Sequence, residues 1–571
     1  MTFVSLRDRH GTTQLVFKDS NLELASTLKP ESVIRATGQV HGRPSDMVNE
    51  KMSTGAVEVV VDKVDLLNST APLPLQVSIG SEVANEDTRL RHRYLDLRRP
   101  ALQQNLVMRS NVAMTARNYL CENGFLEIET PTLFKSTPEG AREFLVPTRT
   151  KNQFYALTQS PQQYKQLLMV GGLDRYFQLA RCYRDEGGRA DRQPEFTQID
   201  LEMSFVTQRD IMDVVEGMVK KIWKCANIDL TAVFPIMSYA EAMDRFGVDK
   251  PDTRFGLEMV DISDVIPAND LFGSGPVVRA INVKNLAVQG FSRKDISDLE
   301  SLSKRLSVDG RGVYTVKIEE NNAWKSSLAK KLTEEKIAQI NDRLDVQDGD
   351  VLLLASGSYA NVCTLLGRMR LQCGQLLYSK GFLQAELDPF NFNHLWVVDF
   401  PMFEMDSDGI GLSATHHPFT APHEDDLPKL KALLSTGKNA WEDPAMQEEL
   451  LTIKAQHMDI VCNGWELGGG SIRLHSMELQ QSVLQQVLNL PEIQKKSFEH
   501  LLNALGHGAP PHGGIALGLD RLIAILCGAP SLRDVIAFPK STTGNELMTG
   551  SPGPVTTDQL NEYHISVKND Q

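Results

Sequence analysis

Tyr176-Phe-Gln-Leu-Ala-Arg-Cys-Tyr-Arg184, then Asp185-Glu-Gly-Gly-Arg-Ala-Asp-Arg-Gln-Pro-Glu195, then Phe196-Thr-Gln-Ile-Asp-Leu-Glu-Met-Ser-Phe205 is the stretch that decides the fold. Its first part reads as a strand, its second as a polar loop, and its third alternates strictly. Thr197, Ile199, Leu201, Met203 and Phe205 fall on one face, and Phe196, Gln198, Asp200, Glu202 and Ser204 on the other. An aromatic ring beside an amide and two carboxylates suits a floor for a base and an amine. The plainer alternative is a half-solvated antiparallel hairpin.

Further along, Gly513-Gly-Ile-Ala-Leu-Gly-Leu-Asp-Arg-Leu-Ile-Ala-Ile-Leu526 carries a core stripe of Leu519, Leu522, Ile523 and Leu526. Arg521 points off that stripe within the first turn, where a helix N-terminus and a guanidinium together favour an anion. An ordinary buried helix with a surface arginine is the alternative. Trp465-Glu-Leu-Gly-Gly-Gly-Ser-Ile-Arg-Leu-His475 offers Glu466, three glycines that let a ligand approach the backbone, and a face shared by Ser471, Arg473 and His475. Asp459 lies seven residues before Glu466, and the two acids together suit Mg²⁺, although that spacing by itself is weak evidence. In Ser160-Pro-Gln-Gln-Tyr-Lys-Gln-Leu-Leu168, Ser160 is expected to cap a helix that begins at Pro161, with Gln162 and Lys165 on one face.

Working outward, residues 1–75 hold four short strand patterns, Phe3 to Leu6, Thr13 to Phe17, Val33 to Val40 and Ala56 to Leu66, which suit a small β-barrel. Residues 76–100 read as a basic hinge, because Arg89 to Arg99 carries five arginines in eleven residues. A solvated linker and a local nucleic-acid contact both fit that charge. A helix is expected over Leu102 to Asn123 and is stopped by Gly124. The expected division is a barrel (1–75), the hinge (76–100), the first part of an α+β core (101–270), an inserted α/β segment (271–390) and the rest of the core (391–571).

The 571 residues carry a net charge of −14, and no run approaches the roughly 18 apolar residues of a membrane helix. Seven cysteines are scattered without a C-x-x-C pair, which argues for a reducing compartment and against a disulfide framework or structural zinc. The chain has no phosphate-binding G-x-x-x-x-G-K-[ST] loop and no G-x-G-x-x-G fingerprint. Lys51-Met-Ser-Thr-Gly55 is read as a loop. His416-His417 has no third metal ligand at a familiar spacing.

The arginine-bearing hairpin and the Gly-Leu-Asp-Arg helix resemble motifs 2 and 3 of the class II aminoacyl-tRNA synthetases. Gly124-Phe-Leu-Glu-Ile-Glu-Thr-Pro131 resembles motif 1. Pro138-Glu-Gly-Ala-Arg142, Gln159-Ser-Pro-Gln162, Arg192 to Asp200, His416-His-Pro-Phe-Thr420 and Gly468-Gly-Gly-Ser-Ile-Arg473 are similar to the aspartyl family, and the insertion makes it the bacterial type shared by mitochondria. Gly508 to Ala516 and Met169 to Arg175 lean toward the animal mitochondrial form.

The resemblance implies a class II antiparallel-sheet core, an OB-like anticodon-binding barrel and an inserted α/β domain. It also implies L-aspartate, ATP and tRNA(Asp) as substrates, Mg²⁺ as cofactor, and a homodimer with no membrane partner. The mitochondrial matrix is the expected compartment, its targeting segment absent from this chain, with bacterial-type cytoplasm as the alternative. Arg184, Arg521 and Glu466 would be catalytic. Aspartate would be held by Glu139, Gln162, Lys165, Arg184, Asp200, His416, His417 and Arg473. ATP would be held by Arg184, Glu186, Gln193, Phe196, Glu466 and Gly518, Leu519, Asp520 and Arg521. Asp459 and Glu466 would hold the metal, and Phe3, Gln14 and Glu58 would read the anticodon. By the same resemblance Met1 falls just before the third strand of the family's barrel, so that an incomplete barrel is expected. An asparaginyl or lysyl enzyme, or a non-catalytic RNA-binding relative, are the rival readings. Arg473 with Lys165 favours an anionic side chain, and the presence of Arg184, Arg521 and Glu466 favours catalysis.

Overall fold

The computed structural model describes every residue except 19–20, 51, 53, 78–81, 139, 187–188, 267–276, 285–291, 309 and 569–571. It divides into two compact units, Met1–Arg99 and Pro100–Gln571. In the first, strands β1 (Thr2–Asp8), β2 (Gly11–Phe17), β3 (Val33–Gly42) and β4 (Val57–Asn68) form a sheet in the order β1-β2-β4-β3. Alternation sends Leu15 and Phe17 inward, a register shift of β4 at Asp62 lets both Val61 and Val64 join them, and all pack with Ala25 of a short helix α1 (Leu22–Thr27) that the strand pattern did not announce.

The expected basic hinge is folded. It forms helices α2 (Glu86–Arg91) and α3 (Arg93–Asp96), and three of its arginines converge on one carboxylate. Arg89 Nε, Arg93 Nη1 and Arg99 Nε stand 3.0, 2.9 and 3.1 Å from the oxygens of fully buried Asp96. Those arginines hold the segment's own fold together, because a buried carboxylate needs paired charge. Lys51 and Ser53 of the Lys51–Gly55 loop lie outside the described residues.

The second unit opens with α4 (Pro100–Glu122), whose Val112, Ala116 and Leu120 form a buried stripe at four-residue spacing. Gly124 follows with φ +81°, the left-handed turn that ends such a helix at least cost. The core sheet has eight strands: β5 (Leu126–Glu127), β6 (Arg175–Tyr183), β7 (Glu195–Ser204), β8 (Ile236–Ser238), β9 (His394–Val398), β10 (His457–Cys462), β11 (Trp465–Ile472) and β12 (His512–Gly518). Their order is β8-β9-β10-β11-β12-β7-β6-β5, antiparallel except at the two edges, where β8 pairs with β9 and β5 with β6 in parallel. The apolar face of β7 packs with α4, with the helix Gln208–Lys224 and with the helix Leu519–Leu526. The opposite face is left for chemistry.

A separate antiparallel sheet of five strands, with a core of its own, starts at Met259 and ends at Gly357. It thus begins before residue 271, where the character of the sequence shifts, because its first strand, Met259–Asp261, is only three residues long. The helix α5 (Gln162–Val170) also begins later than expected. Pro161, not Ser160, is its N-cap residue, and no side chain caps it. Ser160 instead accepts a 2.8 Å hydrogen bond at its carbonyl from the Thr158 hydroxyl.

Candidate active site

Cross-strand register assembles the site in two rows on the open face of the sheet. One row runs Gln178, Asp200, Ala516, Gly469, Asp459, and the next runs Tyr176, Glu202, Gly514, Ser471, His457. Small residues occupy the middle of each row and polar or charged ones the flanks. The result is a cavity of about 640 Å³ with a polar floor. The glycines are required by proximity. A Cβ on Gly514 would sit 2.0 Å from Glu202 Oε2, and one on Gly469 2.5 Å from Asp459 Oδ1.

The floor is a buried quartet of charges. Lys165, reaching down from α5, places Nζ 3.1 Å from Asp200 Oδ1 and 3.2 Å from Glu202 Oε2. Arg473 donates to both oxygens of Glu202, at 2.9 and 3.1 Å, to the Gly514 carbonyl at 3.1 Å and to the Ser471 hydroxyl at 2.7 Å. Its Nη1 also lies 2.6 Å from His417 Nε2. His417 is held neutral, well below the usual histidine range, by burial and then by the Arg473 charge, so its Nε2 accepts from Arg473. Burial alone would raise Glu202, but the Arg473 and Lys165 charges outweigh it and hold its carboxyl at about 2. Asp200, with burial dominant and Glu202 beside it, rises to about 6. Gln162 lines the same cavity and donates to Gln166, which in turn pairs with His512.

On the far flank, Asp459 and Glu466 share a corner. Burial pushes Asp459 to about 7, with nearby Asp249 raising it further against the opposing effect of His416. Glu466 is raised by burial and then by Asp459. Two crowded carboxylates that resist ionising together are a donor set that a hard divalent cation relieves. His457 Nε2 lies 2.8 Å from Asp459 Oδ1. The His416 ring stacks on the His457 ring at 3.3 Å between centroids and 15°. The fold thus supplies His416 with two neighbours that could bind metal, His457 and Asp459, which linear spacing did not show. A face-to-face stack directs the two rings' nitrogens along parallel planes instead of at one point. His457 is buried and for that reason held neutral, at about 3; His416, though exposed, is shifted the same way by its crowded surroundings.

The remaining expected residues divide. Arg184 lines the cavity, with its guanidinium carbon 5.1 Å from the centre of the Phe196 ring and its Nε buried without a partner. Glu186 lines the cavity while paired with Arg192 at 2.6 Å. Arg521 donates to the Glu466 carbonyl at 2.7 Å and lines a neighbouring cavity of about 290 Å³ that it shares with Trp465. Gln193, Leu519 and Asp520 lie away from both cavities. The Gln193 amide is tied twice to the Lys540 backbone, Leu519 is a core residue, and Asp520 accepts from the Thr197 amide and pairs with Arg109. Gly518 is the N-cap residue of the helix Leu519–Leu526. Glu139 lies outside the described residues. In the first unit Gln14 donates to Glu58 at 3.1 Å, Arg43 stands 3.7 Å from the same carboxylate, and Phe3 is exposed on β1. Sequence reading counted Glu202 on the polar floor of the hairpin without a role of its own, and assigned none to His457 or Arg43. The alternation of β7 did place Glu202 beside Asp200, and that was its available signal.

Among the described residues no helix is long and apolar enough to cross a membrane. Residues 85–542 match the model of tRNA synthetases class II (D, K and N), and residues 1–67 match an OB-fold nucleic acid binding domain. The chain is 44% identical to a mitochondrial aspartate–tRNA ligase of Dictyostelium discoideum, over 99% of this chain and 84% of the relative. It is 46% identical to an aspartate–tRNA(Asp/Asn) ligase of Opitutus terrae, over 99% and 93% respectively. In fold it is similar to the crystal structure of asparaginyl-tRNA synthetase from Pyrococcus horikoshii complexed with asparaginyl-adenylate, with a TM-score of 0.54, 16% identity, and 94% and 91% of the two chains covered. An open antiparallel face carrying paired charges, an OB-fold unit and matches over nearly the whole chain lead to one conclusion: the chain belongs to the class II tRNA synthetases of the D, K and N group.

Proposed function

We propose that this synthetase activates L-aspartate with ATP and transfers it to tRNA(Asp). The observation that carries the reading is the Arg473 guanidinium, fixed by Glu202 and Ser471 and closed on its remaining side by a neutral imidazole. A substrate carboxylate replaces His417 Nε2 at Arg473 Nη1 and gains a charge-assisted pair. Asp200 and Gln162 then face the amino end, with Lys165 between them and the side-chain carboxylate. The relatives named above for aspartate support the same choice.

The chemistry uses no protein nucleophile. The α-carboxylate of aspartate attacks the α-phosphorus of ATP. Arg184 neutralises charge developing on the α-phosphate, and Arg521 meets the distal phosphates. Phe196 stacks under adenine, which requires Arg184 to leave the ring face it occupies. Asp459 and Glu466 are the residues that would hold Mg²⁺. Bound there, Mg²⁺ neutralises phosphate charge. The ribose hydroxyl of the terminal adenosine then attacks the adenylate, and AMP leaves.

Phe3, Gln14 and Glu58 read the anticodon in this proposal, and Arg43 belongs with them. The five-stranded unit is the insertion of the bacterial type. The enzyme works as a homodimer built on the segment from Phe125 to Leu133, in a mitochondrial matrix or a bacterial-type cytoplasm.

ATP–pyrophosphate exchange across the twenty amino acids tests the assignment. Aspartate should support exchange and asparagine very little. An amide opposite Arg473 loses the charge-assisted bond that a carboxylate makes with Nη1, at a cost of about 1.5–3 kcal/mol, a factor of roughly ten to a hundred or more. Comparable rates with both amino acids would overturn it.

A further inference from the structure

We propose that Lys250 contacts the β- and γ-phosphates of bound ATP and stabilises the pyrophosphate leaving group. The proposal rests on the reading above, in which Asp459 and Glu466 flank the polyphosphate.

Lys250 Nζ lies 3.7 Å from Glu466 Oε2 and 3.8 Å from Asp249 Oδ1. Both separations exceed hydrogen-bond length, and the three side chains are 46, 36 and 42% exposed, so these pairs contribute little to stability. The backbone on either side is fixed, however. Gly247, at φ +69°, is pressed so closely on the helix Tyr359–Ser379 that a Cβ there would meet the Cys363 carbonyl at 2.1 Å. Asp252 accepts at its carbonyl from buried Arg370 at 2.8 Å and pairs through its carboxylate with Arg254 at 2.7 Å. A weakly paired ammonium on an anchored backbone suits a ligand-binding group, because only the side chain remains to be ordered when the ligand arrives.

Charge accounts for its place. Asp249, Asp459 and Glu466 gather three carboxylates at this corner, and Lys250 acts on both Asp459 and Glu466. Were Glu466 engaged by a divalent cation, Lys250 would lose its weak partner there and its charge would be available to phosphate. In the reaction a carboxylate oxygen of aspartate forms a bond to the α-phosphorus. The bond from that phosphorus to the oxygen of the β-phosphate breaks, and its electron pair stays on pyrophosphate. No proton has to move. The new negative charge is met by a compact cation, for which a lysine ammonium is suited.

The test compares wild type with Lys250→Met and Lys250→Arg. Calorimetry with inorganic pyrophosphate and Mg²⁺ reads binding directly, and aspartate-dependent exchange reads catalysis. Lys250→Met should weaken pyrophosphate binding and lower kcat by roughly tenfold to a hundredfold, as loss of one hydrogen bond to a charged group does. KM for aspartate and Tm should not change, and Lys250→Arg should retain most of both functions. Equal pyrophosphate affinity in wild type and Lys250→Met, or a loss confined to KM for aspartate, would overturn the proposal. Absence of aspartate-dependent exchange in the wild type would overturn the functional reading instead, and pyrophosphate calorimetry would still decide the role of the lysine.

Discussion

Glu202 holds the amino-acid pocket in shape. It is fully buried, takes both arms of Arg473 and approaches Lys165 at 3.2 Å. Glu202→Gln keeps the volume and removes the charge, leaving two cations to face Asp200 alone. Stability should fall by about 3–5 kcal/mol in urea denaturation at neutral pH. A carboxyl lowered from 4.5 to about 2 contributes stability that is complete above its ordinary value and is lost as pH falls toward 2. The gap between wild type and variant should therefore be constant above about pH 4.5 and close in acid, and a gap independent of pH would exclude this origin. Asp459 behaves oppositely. Its carboxyl is raised to about 7, and a metal ligand must lose its proton. The Mg²⁺ concentration for half-maximal exchange should fall as pH rises through about 7 and level off above it. A requirement for Mg²⁺ that does not change between pH 6 and 8 would remove Asp459 from the metal site.

Strands and helices place these residues, and their local rules were largely readable. The alternation of β7 announced both of its faces as far as Ser204, but Phe205, expected on the apolar face, leaves the strand with φ +57° and is 72% exposed; the stripe Leu519, Leu522, Ile523, Leu526 announced the buried side of its helix. Less readable were elements whose charges are satisfied internally. The arginines on Asp96 read as a solvated hinge because charge density is visible in sequence and a buried partner is not. For the same reason Gln193 and Asp520, both expected to hold ATP, are found tied to backbone, Gln193 to Lys540 and Asp520 to Thr197. The glycines of β12 have the clearest element-scale consequence. On Gly514 a methyl group would meet Glu202 Oε2 at 2.0 Å and the Leu201 carbonyl at 2.1 Å, and sheet register keeps both in place. Gly514→Ala should cost about 3 kcal/mol or more by chemical denaturation, at or above the usual range for overpacking. A variant of wild-type stability would mean that β12 can shift against β7.

At the scale of the molecule, a set of large apolar side chains is uncovered. Val107 and Met114, seven residues apart on α4, are 59 and 52% exposed, and Leu126 and Leu133 of the following segment are exposed as well. The dimer proposed above would cover these side chains. Val107→Asp with Met114→Asp should shift the protein to monomer in light scattering at micromolar concentration, with loss of exchange activity. A wild type that is monomeric and fully active would exclude the dimer. Apart from the short helices α1, α2 and α3, the sequence by itself determined the main strands and helices, which face of each is apolar, and which residue types are available for chemistry, since periodicity and turn residues act over a few positions. Tertiary structure alone decided the partners. Arg473 meets Glu202 across 271 positions of chain, Asp520 meets Arg109 across 411, and His416 stacks on His457. Alternation states which way a side chain points, whereas strand order and register decide what it meets, and pairing energies between residues so far apart leave no local trace in the chain.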